Sequence, residues 1–222
     1  MVLAQPAQSL TDLLLGLVVL VLAVQLRRTP TVPRYWLPPF WWSGVAAVAG
    51  AFHHAVMVRW ARPAEISWAV ISVLVVVAVS YLLAATVREV LGPGRARVFW
   101  LLRSVGLAAY LGAAVSGHAG VTAMLTCESL TMLSVLGLWF HAARQHHPLA
   151  RPVLAAVLAS GAAAITKVVP AGITGRVGLD PTSAYHLAQI VGMALLYRAV
   201  SRRADTEPAE ARPGQALRPP RP

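Results

Sequence analysis

Residues 66–86 read ISWAVISVLVVVAVSYLLAAT, twenty-one positions without one charged side chain. A helix rises 1.5 Å per residue, so this run reaches across a hydrocarbon core of about 30 Å. Six further apolar stretches flank it: Leu10–Leu26, Leu37–Val58, Val98–Val115, Val121–Ala142, Pro152–Ile173 and Thr182–Val200. The chain is 57% hydrophobic and 12% charged, where a soluble domain carries about 25% charged residues. The fold class expected is therefore all-α: a polytopic membrane protein, one seven-helix transmembrane domain over residues 1–203. Ala204–Pro222, rich in proline, arginine and acid, reads as a disordered tail.

The formal net charge of +11 is not a nucleic-acid signal, because the cations lie between the spans rather than on one aromatic-studded face. Eighteen of the nineteen are arginine; the exception, Lys167, sits inside a span. The first, third and fifth connections and the tail hold Arg27, Arg28, Arg34, Arg88, Arg95, Arg97, Arg144, Arg151, Arg198, Arg202, Arg203, Arg212, Arg218 and Arg221. Opposite them stand Arg59, Arg62 and Arg176. Fourteen against three predicts the N-terminus outside and the C-terminus in the cytoplasm. A cleaved signal peptide is not expected, since Arg27-Arg28 follows the first apolar run. Cys127 is a single cysteine, so no intrachain disulfide forms. The alanine-, valine- and arginine-rich composition suggests a high-GC genome and an integral protein of a bacterial inner (plasma) membrane.

The polar groups inside the spans share one depth. Measured by helical rise, His53 and His186 each lie about 6 Å below the outer surface. Asp12 and Glu65 fall within about a turn of it, and Glu128 and Lys167 about 9–12 Å down. Ionisable groups are costly there and mark functional sites. The pattern predicts a pocket opening outward. Arg103 stands near enough to its span end to snorkel. Ser9-Leu10-Thr11-Asp12 reads as a capping box, with Asp12 as the cap acid.

His53-His54 is the sharpest local feature. Adjacent helical positions diverge by about 100°, so one of the two faces the axis fully. With His186 it makes a candidate metal set, and Glu65 or Glu128 would add a ligand or general base. Lys167 would orient Glu128 or steady an oxyanion. Two histidines, a carboxylate and a water satisfy catalytic zinc, which suits hydrolysis of an amide or ester.

These residues resemble those of the CREST superfamily of intramembrane hydrolases, and the alkaline ceramidases in particular. Phe52-His53 matches that family's second-helix histidine. Ala49 stands where the family has serine, or Gly50 does if His54 is the match. Glu65 takes roughly the place of its third-helix aspartate. His186 matches one of two seventh-helix histidines, with Thr182 and Ile190 in place of the other. The resemblance implies a zinc-dependent hydrolase of a membrane lipid amide or ester. Two alternatives use the same groups: a receptor-like or small-solute- and proton-binding bundle, and a haem protein ligated by His53 or His54 with His186.

Overall fold

The computed structural model describes residues 3–113, 115–116, 121–165 and 180–206. Among these are seven α-helices and no strand: α1 (Pro6–Arg28), α2 (Leu37–Ala55), α3 (Ala61–Leu91), α4 (Ala96–Ala113), α5 (Val121–Arg144), α6 (Ala150–Ile165) and α7 (Pro181–Thr206). Three are long and apolar enough to cross a membrane: Pro6–Arg28, Ala61–Leu91 and the Ala123–Arg144 portion of α5. The Ala150–Ala164 part of α6 is apolar but shorter.

Local chemistry sets the ends. Pro6 opens α1, where its missing N–H costs nothing. α3 stops at Gly92, whose φ of 87° suits a residue without a Cβ, and Pro93 follows. α2 ends at Ala55, three residues before the expected Val58, and a 3-10 turn over Met57–Arg59 leads into α3. α1 begins four residues before the expected Leu10, which places Asp12 in its second turn. Ser9 therefore does not cap that helix: its hydroxyl donates to the Ala51 carbonyl of α2 at 3.0 Å. α7 runs to Thr206, beyond the expected limit at Arg203.

Each helix packs on its chain neighbour, and α1 also packs on α7, so the ring closes. α3 reaches across to α5 as well. Glycines bring α1 and α2 together: a Cβ on Gly16 would lie 2.7 Å from Val48, and one on Gly44 2.7 Å from Leu20. One continuous apolar core, including Trp36, Phe40, Leu83, Val87, Trp139, Val153 and Val200, fills the bundle toward the end where α1 finishes. Trp36 and Trp139 stack there with centroids 6.3 Å apart. The helices alternate in direction, so Arg27, Arg28, Arg88, Arg95, Arg97, Arg144, Arg151, Arg198 and Arg202 gather at that same end. The end that bears His53, His54 and His186 lies opposite.

Candidate functional site

At the opposite end the residues just before α1 close over the last of α2. The Ala4 N–H donates to Ala55 O and the Gln5 N–H to His54 O, both at 3.1 Å. These bonds satisfy carbonyls that a helix terminus otherwise leaves without partners. Asp12, 6% exposed, enters the space beneath them. Gly50 makes that space, since a Cβ there would sit 2.3 Å from Asp12 Oδ2.

Two histidines approach the Asp12 carboxylate. His186 Nε2, from α7, lies 3.3 Å from Oδ1. His54 Nε2, from α2, lies 3.9 Å from Oδ2. The two rings stand 6.3 Å apart, so the carboxylate joins them rather than direct contact. His53 turns toward α3, where its Nδ1 is 2.7 Å from Ser67 Oγ and its ring 5.6 Å from Trp68. Both members of the His53-His54 pair are thus engaged, one with α3 and the other with α1.

Polar groups also face the Nδ1 side of each ring. Ser67 Oγ lies 2.7 Å from His53 Nδ1 and 3.0 Å from Ala64 O. Thr11 Oγ1 lies 3.1 Å from His186 Nδ1, 2.9 Å from Ala7 O and 3.1 Å from Gln8 O. Gln5 Oε1 lies 2.6 Å from His54 Nδ1. A hydroxyl both donates and accepts, so His53 and His186 find a partner at Nδ1 in either tautomer. A doubly protonated His186 would bridge Thr11 and the Asp12 carboxylate.

The cluster extends sideways. Tyr185 packs on His186 with centroids 5.6 Å apart and accepts a hydrogen bond from Gln189 at 3.2 Å. Its phenol feels the charges of Glu128 and Asp12, which places Glu128 of α5 within electrostatic reach of the group. At the surface, Asp180 caps α7, accepting from the Thr182 and Ser183 amides at 3.0 and 3.1 Å. Gln8 of α1 donates to the same oxygen at 3.2 Å. Burial works against the charge on Asp180. The Ser183 hydroxyl, the two amides and Gln8 outweigh it and hold the carboxyl below the usual aspartate range.

Not every expected residue joins. Glu65 is exposed, and Ser67, two positions on, is the α3 group that meets a histidine. Lys167 lies outside the described residues. Asp12, read from sequence as a cap, is the group around which His54 and His186 gather; the available signal was a carboxylate and a glycine, Gly50, at one depth on adjacent spans. Arg103 does not snorkel: it is 2% exposed and donates to Cys127 Sγ at 3.3 Å and Thr131 Oγ1 at 3.0 Å. At the arginine-rich end, Glu89 accepts from the Tyr35 hydroxyl and from Trp36 Nε1, with His147 Nε2 3.7 Å away. Sequence reasoning did not single out that second buried carboxylate.

Catalytic zinc needs three protein ligands on one ion. Among the described residues, no group of three or more His, Cys, Asp or Glu is disposed to hold a metal. The described residues as placed do not form the three-ligand set that catalytic zinc requires. Comparison with curated proteins and with solved structures finds no match. One family does match, over residues 7–205, a range that takes in Asp12, His54 and His186, and the chain belongs to it: the family of unknown function DUF6962.

Proposed function

We propose that this chain is a seven-pass protein of a bacterial inner membrane, N-terminus outside, in which Asp12, His54 and His186 form an exchangeable proton site near the outer face. The site would serve a receptor-like or small-solute-binding bundle. Three helices long and apolar enough to cross a membrane and the arginine asymmetry support the setting. The observation that carries the site is the 3.3 Å approach of His186 Nε2 to Asp12 Oδ1, with Nδ1 3.1 Å from Thr11 Oγ1. A second proton on the imidazole turns that approach into a charge-assisted pair. Buried charge of either sign is costly unless paired. Protonation therefore alters how firmly α7 is held to α1 and α2, and an arriving solute with a donor could replace the proton.

Titration of ¹⁵N-histidine-labelled protein in detergent or nanodiscs, read by NMR, tests this. His186 and His54 should titrate as a coupled pair in the unmutated protein. Asp12→Asn should uncouple them while leaving His53, held by Ser67, unchanged. Identical histidine titrations in both proteins would overturn the reading. Stoichiometric zinc in the purified protein, lost in His54→Ala plus His186→Ala, would replace it with the zinc-dependent lipid hydrolase.

A further inference from the structure

Among the arginines whose burial is described, all but Arg103 are exposed. Arg103 is 2% exposed and stands about 10 Å along α4. Gly106, one turn on, marks a close approach of α4 to α5. A Cβ there would lie 3.1 Å from Arg103 Nη1 and from Thr131 Oγ1, and 3.2 Å from Cys127 O. Across this contact Nη1 donates to Cys127 Sγ and Thr131 Oγ1. Nη2 is enclosed as well and, among the described residues, has no hydrogen-bond partner. A guanidinium keeps its charge at any ordinary pH. Held in the interior without an anion, that charge is costly.

The chain's own acids are engaged elsewhere. Asp12 faces His54 and His186, and Glu89 faces Tyr35, Trp36 and His147. Glu128, next to Cys127 in sequence, acts on Tyr185 of α7. Among the described residues no carboxylate forms an ion pair with Arg103. Residues 114, 117–120 and 166–179 contain no Asp or Glu in sequence. Thr131 gives its proton to Cys127 O at 2.7 Å, so toward Arg103 it only accepts. The Cys127 sulfur likewise accepts from Nη1, and its S–H is available as a second, weak donor beside Nη2.

We infer that Arg103 binds a small monovalent inorganic anion, of the size of chloride, between α4 and α5, held by the Nη2 hydrogens and the Cys127 thiol. Enclosure at a close helix contact sets the size: an ion of one to four atoms fits there and an organic acid does not. The anion neutralises the guanidinium and ties α4 to α5. The site is separate from the proton site, because α4 and α5 contribute neither Asp12 nor its two histidines.

The experiment is equilibrium binding of radiolabelled chloride to the full chain, purified in nanodiscs of neutral lipid. Binding should be saturable, displaced by bromide and nitrate and unmoved by gluconate. Arg103→Gln should weaken it by about tenfold or more, the scale of a hydrogen bond to a charged group. Cys127→Ala should weaken it less, and Cys127→Ser, which keeps a donor, should restore it. Arg97→Gln, exposed on the same helix, should leave it intact. Equal losses in Arg97→Gln and Arg103→Gln would overturn the site in favour of diffuse surface charge. Loss in His186→Ala with Arg103→Gln unaffected would overturn it in favour of the histidine end. Should Arg103→Gln fail to fold, the unmutated protein still decides. Its thermal midpoint should rise by about 3 °C when chloride replaces gluconate at equal ionic strength, at about tenfold above the dissociation constant. No saturable chloride and no rise would mean that the guanidinium is compensated within the protein, and the inference would fall.

Discussion

One missing methyl group shapes the histidine end. Gly50 gives the Asp12 carboxylate its place, with a virtual Cβ 2.3 Å from Oδ2. Gly50→Ala should push Asp12 off its position between His54 and His186 and cost about 1–3 kcal/mol, the usual range for overpacking. Gly112, where a Cβ meets nothing within 4 Å, is the control. Gly112→Ala should be neutral or stabilising by up to about 1 kcal/mol, as alanine favours a helix. Unfolding in mixed micelles separates the two; a Gly50→Ala variant as stable as the Gly112 control would refute the crowding argument. The residue scale is also where sequence reading was weakest. Rise per residue placed His53 and His186 at one level, and the structure brings both to the same end of the helices. Rise gave no azimuth, and azimuth decides that His54 meets Asp12, that His53 meets Ser67 and that Glu65 meets solvent.

Helix ends were easier to read, because their chemistry is local. Proline at the start of α1 and glycine followed by proline after α3 are visible in the chain itself. The apparent capping box at Ser9 misled for the same local reason: its hydroxyl found a carbonyl on another helix, which no window of a few residues contains. Asp180 is a cap with a tertiary role, since Gln8 of α1 shares its oxygen. Its folded pKa is depressed below the usual value of about 3.9. The stability it adds is therefore complete above that usual value and fades as pH falls through the lower folded one. Asp180→Ala should cost about 1 kcal/mol at neutral pH, as lost caps do. The difference between variant and unmutated protein should shrink in acid below about pH 4. A pH series of denaturation midpoints checks this, and a gap that stays constant into strong acid would count against it.

At the scale of the whole molecule, the seven apolar stretches were legible as seven helices, and their alternation explains why the arginines share one end. The closure of the ring by α1 against α7 was not, because contacts far apart in sequence leave no periodic trace. The proposed orientation puts that arginine-rich end in the cytoplasm. A reporter active only outside the membrane, fused after Arg59, should therefore score, whereas one fused after Arg144 should stay silent; the reverse pattern would invert the bundle.

The buried Arg103 has a bearing on biogenesis. Its guanidinium sits mid-way along α4 and finds its acceptors, Thr131 and Cys127, only on α5. An arginine near the centre of an isolated segment disfavours translocon insertion by about 2.5 kcal/mol or more. On the proposed seven-pass reading, α4 emerging alone should therefore hesitate at the lateral gate until α5 arrives, and the two should enter lipid together as a hairpin. In a glycosylation-mapping assay, α4 by itself should insert poorly. Joining α5 should rescue it, and Thr131→Val should weaken that rescue.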